Sequence, residues 1–183
     1  MNLEICIDSP ASARAAEAGG ADGVVLGCLT PDGTVDRDAC LRLLEAAGPL
    51  DVTFHRAFDL SRDLFESLEA IASLGIRRLL TSGGAPDALA GAATLSRLVD
   101  RAGSRLSIMP GGGITPRNLA EIVRTSGACE VHLSARSTRL SPMRFRHESC
   151  ALSEATQGRE YELRIADPLL VRAARTALDS VRA

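Results

Sequence analysis

Lysine is absent from this 183-residue chain, and all 21 cationic side chains are arginine. Without a lysine amine, neither Schiff-base catalysis nor covalent attachment of pyridoxal phosphate is open to the protein. A surplus of positive charge is missing too. The arginines are offset by 23 acids for a net charge of −2, so there is no basic face of the kind that displaces counterions from nucleic acid. No C-x-x-C occurs: Cys6, Cys28, Cys40, Cys129 and Cys150 form an odd, scattered set, which reads as reduced thiols. Cys40, at helical spacing from Leu44, reads as a packing residue. No apolar run is long enough to span a bilayer, and the opening Met1-Asn2-Leu3-Glu4-Ile5-Cys6 carries no basic region followed by a signal-length apolar stretch. These absences predict a cytoplasmic protein with neither a membrane nor a nucleic acid as partner.

What is present is a repeat. With 45% apolar residues the chain has one domain's worth of core, laid out as a β-branched run, a polar or glycine-rich turn, and a helix rich in alanine and leucine. Strands are expected at Leu3 to Ile7, Gly23 to Cys28, Val52 to His55, Arg78 to Thr81, Leu106 to Met109 and Glu130 to Leu133. Helices are expected at Pro10 to Ala18, Asp36 to Ala47, Ser61 to Leu74, Pro86 to Ala102, Thr115 to Ser126 and Pro168 to Val181. Ser9-Pro10, Thr115-Pro116 and Asp167-Pro168 mark starts, each a capping side chain before a proline. Gly19, Gly48, Gly75 and Gly127 mark stops. Strict alternation implies an α/β fold with a parallel sheet covered by helices, either closed as a barrel or open. Between Ser134 and Ala166 the repeat lapses, and a long loop over a barrel mouth is expected.

Polar residues crowd where strands end. The run V-T-F-H-R-A-F-D from Val52 puts His55, Arg56 and Asp59 at a strand mouth, the end where barrels of parallel strands do chemistry. The plainer reading is an Arg56–Asp59 salt bridge over a buried histidine. Thr81-Ser82-Gly83-Gly84, Pro110-Gly111-Gly112-Gly113 and His132-Leu133-Ser134 follow later strands at the same end. Ser82, Gly83, Gly112, Gly113 and Ser134 are therefore candidates for holding a phosphate or carboxylate, with glycines admitting an anion to backbone N–H groups. Glu4, His55 and His132 are candidates for proton transfer on one cavity; the alternative makes Glu4 the neutralising partner of Arg56. For metal, Cys6 ends the first strand, Cys28 the second, and His55 and His132 later ones. Thiolates suit Cu(I), although no two ligands show a local metal spacing.

The motifs L-E-I-C-I-D-S at Leu3, V-T-F-H-R-A-F-D at Val52, L-L-T-S-G at Leu79, M-P-G-G-G-I-T-P-R-N-L at Met109 and E-V-H-L-S-A-R-S-T-R at Glu130 occur in order. Together they resemble the CutC copper homeostasis family. That resemblance implies a cytoplasmic, self-associating TIM-type barrel of eight βα units linked to Cu(I), with copper as the bound ion and Cys6 as a ligand.

One departure from the family pattern is large. The family has two G-A-D turns, the first leading to a strand ending in E-L-C and the second opening its fourth strand. Here Gly20-Ala21-Asp22 occurs once and runs directly into G-V-V-L-G-C-L-T-P-D-G, as if two βα units were missing. About six strands are then expected in a truncated barrel over residues 1–183, with exposed edges that favour a dimer. The family cysteine of E-L-C, a natural partner of Cys6, is absent. An enzyme acting on a small phosphorylated or carboxylated compound is the alternative, with Arg56 orienting the anion.

Overall fold

The computed structural model describes residues 4–147, 150 and 158–182. Leu3 of the expected first strand and residues 148–149 and 151–157 of the expected loop lie outside them. The chain divides into two compact units, Met1–Leu133 and Ser134–Ala183.

The first unit carries five of the six expected strands: β1 (Glu4–Cys6), β2 (Gly23–Leu26), β3 (Asp51–Phe54), β4 (Arg78–Thr81) and β5 (Ser107–Pro110). They form one parallel sheet in the order β1-β2-β3-β4-β5. Between them run α1 (Pro10–Ala18), α2 (Arg37–Ala47), α3 (Leu64–Ser73), α4 (Ala92–Ala102), and, after β5, α5 (Leu119–Ser126). Strand order equal to chain order has a consequence, because right-handed crossovers that always step the same way put every helix on one face. This is the winding of a barrel wall, and here the wall stays open, with no ladder joining β1 to β5 among the described residues.

The two faces differ accordingly. Val24, Leu26, Phe54, Leu79 and Ile108 are buried beneath the helices, where each such side chain contributes about 1.5–3 kcal/mol. The register row Cys6–Val25–Thr53–Arg78–Ser107 points the other way. In that row Cys6 is exposed and Val25, Arg78 and Ser107 are half-buried.

Helix ends follow local hydrogen bonding. Ser9 Oγ accepts from Ser12 N–H at 3.2 Å before Pro10, as expected. The third, fourth and fifth helices start later than the pattern implied, each for a nameable reason. Asp63 takes the Phe65 and Glu66 N–H groups, fixing α3 at Leu64. Asp87 takes those of Leu89 and Ala90 in a turn of its own ahead of α4. Asn118 Oδ1 accepts from Thr115 N–H at 2.8 Å, so Thr115-Pro116 is a turn and α5 begins at Leu119. Gly19, Gly48 and Gly127 cap α1, α2 and α5; Leu74 caps α3 with Gly75 following it, and Gly103 caps α4.

Two expectations are corrected. The sixth strand, Glu130 to Leu133, is reduced to a single parallel bridge between His132 and Gly111, with His132 N–H donating to Pro110 C=O at 2.9 Å. Only Val131 and Leu133 are apolar in that run and both are half-buried, so no buried face extends the ladder. The stretch from Ser134 to Ala166 is not a structureless loop either. β6 (Arg136–Leu140) pairs antiparallel with β7 (Glu162–Ala166), followed by α6 (Pro168–Arg182). Arg136 and Arg139 in β6 and Glu162 and Arg164 in β7 hid their alternation. Asp167 Oδ1 caps α6 through Leu169 N–H at 2.8 Å, as the Asp-Pro pair implied.

Candidate functional site at the strand ends

The rim where β3, β4 and β5 end is organised by one carboxylate. After Phe54 the chain enters a 3-10 turn, Arg56–Leu60, opened by His55, whose Nδ1 accepts from Ala57 N–H at 3.1 Å. Phe58, fully buried, pins that turn and returns Asp59 across the mouth of β4. There its side chain, 7% exposed, accepts from Thr81 Oγ1 at 2.5 Å, Ser82 N–H at 3.1 Å, Ser82 Oγ at 3.0 Å, Gly84 N–H at 3.0 Å and Arg56 Nε at 2.7 Å. Burial is the largest single influence and pushes the Asp59 carboxyl up. The bonds from Thr81, Arg56, Gly84 and Ser82 together outweigh it and hold the group below the usual carboxylate range.

A carboxylate so saturated is an anchor rather than a base. Its folded pKa lies below the unfolded value, so its stabilisation is complete above the unfolded pKa of about 3.9 and drains as pH falls towards the folded value. The stability gap between the wild type and Asp59→Asn should therefore narrow below about pH 4. Urea midpoints across pH 3 to 7 check this, and a gap constant down to pH 3 would contradict it.

Arg56 is the plain salt bridge to Asp59 that the sequence admitted, and it is more than that. Its Nη2 donates to Ser82 Oγ at 2.8 Å, while Nη1 lies so near Gly112 that a Cβ there would sit 2.8 Å away. The side chain keeps 41% of its surface exposed. One guanidinium thus spans from the β3 mouth over β4 to the glycine loop after β5. Gly112 (φ +104°) and Gly113 (φ +67°) adopt backbone conformations that favour glycine. Their carbonyls accept from Ala88 N–H at 2.9 Å and Asn118 Nδ2 at 3.0 Å. Of their two N–H groups, that of Gly112 faces His132 C=O in the parallel bridge between Gly111 and His132, and that of Gly113 has no hydrogen bond among the described residues. Ser82 and Gly83, by contrast, are committed internally: the Ser82 hydroxyl reaches Ala85 C=O at 2.6 Å, and Gly83 N–H donates to Thr81 Oγ1 at 2.8 Å.

His55 and His132 both belong to this end of the sheet, His55 half-buried after β3 and His132 exposed beside Gly111. Gly27 backs the His55 ring so closely that a Cβ would lie 2.4 Å from Nδ1. Glu4 does not join them. It opens β1, accepts from Thr53 Oγ1 at 2.5 Å and lies 3.7 Å from Arg78, so the neutralising partner expected for Arg56 serves Arg78 instead. Arg78 opens β4 and binds Glu130 in a two-pronged pair of 2.9 and 3.2 Å, with Ser107 Oγ also donating to Glu130 at 3.0 Å. Hydrogen bonding to Arg78 lowers the Glu130 carboxyl, and the same bond raises the arginine. This charge cluster occupies the strand starts, the opposite end from the rim. A single cavity shared by Glu4, His55 and His132 is therefore not what forms. A cavity of about 280 Å³ lined by Leu106, Ser107 and Cys129 also lies on the strand-start side.

Thr81, named in its strand-end cluster, was given no role, and Asn118 and the Arg78–Glu130 pair escaped the sequence reading. Thr81 stood inside the L-L-T-S-G motif, where a hydroxyl ending a buried strand was a usable signal. Arg78 and Glu130 are 52 positions apart and carried none. Ser134 is exposed and begins the second unit. Cys6 is exposed at the end of β1, and no disulfide joins any of the five cysteines. No group of three or more His, Cys, Asp or Glu gathers as a metal cage among the described residues. Among them also, no helix is long and apolar enough to cross a membrane.

The comparisons with known proteins agree with the order of motifs. The model of the CutC family matches residues 14–137. The chain belongs to the CutC family. It is 48% identical over 162 residues to the human copper homeostasis protein cutC homologue, covering 88% of this chain and 59% of that protein. It is 47% identical over 160 residues to a CutC family protein of Chromobacterium violaceum, covering 87% and 64%. A crystal structure described as CutC of Streptococcus agalactiae superposes with a TM-score of 0.64 at 31% identity, over 67% of this chain and 60% of that one. A structure described as native KDPGal, 13% identical, superposes at 0.59 over 99% of this chain and 69% of that one, which speaks for the fold alone. This CutC chain spans about 60% of the length of the curated relatives it matches.

Proposed function

We propose that this CutC-family chain serves copper homeostasis by binding Cu(I) through its thiols, with Cys6 as one ligand. The observation that carries the reading is the family match to relatives named for copper homeostasis. Cys6 supports it as an exposed thiol on the sheet face the crossover helices leave uncovered. Copper is cargo in this reading, not a resident cofactor, and two soft thiolates would suit it better than the hard carboxylates of the strand starts. Cys6 has no second thiol on its own strand, so it meets that need only with a partner. Cu(I) titrated anaerobically against a competing chelator should bind the wild type at least tenfold more tightly than Cys6→Ser; equal affinity would refute the Cys6 assignment.

The same reading makes the chain a cytoplasmic, reduced protein and a dimer. β1 is a sheet edge with Glu4, Ile5 and Cys6 all exposed, and bare edges invite pairing. A single shortened barrel domain lacking two βα units accounts for that edge. Light scattering at micromolar concentration should return twice the 19.2 kDa chain mass, and a monomer would refute the dimer.

A second reading rests on the rim: an enzyme acting on a small phosphorylated or carboxylated compound. Arg56 beside the Gly112 loop, with the Gly113 N–H open, supplies the charge of an anion cradle, flanked by His55 and His132 as acid or base candidates. Ser82, Gly83 and Asp59 act there as the support of Arg56. Phosphate at about 100 times its Kd should add about 2.7 kcal/mol to the stability of the wild type and nothing to Gly112→Val. Equal protection of both proteins would discard the reading.

A further inference from the structure

The guanidinium at the rim has spent only part of its hydrogen-bonding capacity. Such a group carries N–H donors on both edges of a rigid planar fork, and on Arg56 the side edge is taken: Nε donates to Asp59 at 2.7 Å and Nη2 to Ser82 Oγ at 2.8 Å. The end of the fork is open. Both hydrogens of Nη1 and the second of Nη2 have no acceptor among the described residues. Gly112 leaves room for this end, since a Cβ there would lie 2.8 Å from Nη1, 3.0 Å from Cζ and 3.5 Å from Nη2. In the same loop the Gly113 N–H is open as well.

The charge around the fork is already balanced. Burial raises the Asp59 carboxyl, but the bonds from Thr81, Arg56, Gly84 and Ser82 outweigh it and keep the group ionised at neutral pH, so Asp59 and Arg56 form a neutral pair. The next charge along the loop is acidic. A Cβ on Gly113 would lie 2.7 Å from Asp87 Cβ and 3.6 Å from its carboxyl carbon, and that carboxylate is fixed in place by the Leu89 and Ala90 N–H groups. Arg117, in the turn ahead of α5, is exposed and has no hydrogen bond or ion pair with these groups among the described residues. His55 and His132 are the other titratable groups at this end.

We propose that the rim is a carboxylate site, in which the free end of the Arg56 fork grips both oxygens of a monoanion and a phosphate dianion is selected against. The inference rests on the anion-binding reading of the rim and narrows its substrate class to small carboxylic acids. Two parallel N–H groups match the planar carboxylate. One negative charge is all that the site accommodates, because a phosphate monoester brings about −1.5 to −2 at pH 7 and its surplus meets Asp59 and Asp87 with no free cation in the loop.

The test titrates three probes against the full chain by ligand-detected NMR, at one ionic strength and about pH 7: glycolate, methyl phosphate as a dianion, and dimethyl phosphate as a tetrahedral monoanion. Glycolate should bind at least about tenfold more tightly than methyl phosphate, on the scale of unfavourable like-charge contacts, with dimethyl phosphate between them. Arg56→Lys keeps the charge beside Asp59 but removes the fork, and should weaken glycolate about tenfold while the urea midpoint reports the fold. Asp87→Asn retains the turn, since asparagine accepts the same N–H groups, and should improve methyl phosphate relative to glycolate.

The failures are separable. Methyl phosphate binding as tightly as glycolate would overturn the carboxylate class and leave an anion site standing. No probe binding at all would overturn both. A ratio unchanged by Asp87→Asn would overturn the charge selection, and a loss on Arg117→Gln equal to that on Arg56→Lys would replace the fork with a diffuse positive field.

Discussion

Asp59→Asn is expected to cost the fold about 1–3 kcal/mol, the scale of leaving a buried donor without its acceptor. The carboxylate is the acceptor for Thr81, Ser82, Gly84 and Arg56 at once, and it offers no donor. An amide of the same shape turns an NH₂ towards backbone N–H groups, so at least one buried donor loses its partner at about 1–3 kcal/mol. Arg56 loses its counter-charge in the same step. The contrast is Asp63→Asn, an exposed cap of α3, which should move stability by under about 0.5 kcal/mol because asparagine caps as well as aspartate. Urea unfolding of both variants decides the matter, and a loss below 1 kcal/mol at Asp59 would mean the rim is held by something else.

Gly91→Ala is expected to cost about 3 kcal/mol, the upper end for forcing atoms into a packed site. Its φ of −87° suits any residue, so the effect is steric alone. A Cβ there would lie 1.8 Å from the Ser82 carbonyl oxygen and 2.9 Å from its carbon. The obstacle is backbone, and that backbone carries the N–H that binds Asp59. Gly103→Ala is the control: its φ is +55° with nothing within 4 Å of a Cβ, so only conformational strain applies, about 1 kcal/mol. Because Asp59 and Gly91 both act through the Ser82 turn, the double variant should lose less than the sum of the singles. Equal losses at Gly91 and Gly103 would remove the steric argument.

The strand pattern and the strand-end motifs were legible because each depends on a short window. Arg78 to Thr81 agrees end to end, and Pro10 to Ala18 follows from Ser9-Pro10 at one side and Gly19 at the other. His55, Arg56, Asp59 and the glycine loops lie at one rim because parallel strands in chain order put all their carboxyl ends together. What one window does not hold was misread. Glu4 looked like a partner for Arg56, yet strand position puts it at the opposite end with Arg78. The ribbon of β6 and β7 hid among charges, and Glu130 to Leu133 had too little apolar surface to become a strand. Cys40, read as packing from its spacing to Leu44, is fully buried on the same helix face as Leu43 and Ala47.

The rim and the thiols answer separate questions. Asp59, Thr81 and Ser82 support Arg56 beside the Gly112 loop, while the copper chemistry proposed above is assigned to thiols, Cys6 first among them. Loss of copper and loss of anion protection should therefore be independent across variants.

The most direct measurement is the number of Cu(I) ions each reduced chain retains at equilibrium against a competing chelator, compared with a chain whose five cysteines are all serine. The account predicts at least one copper per wild-type chain and none on the cysteine-free chain; the same copper content in both, or none in either, would contradict it.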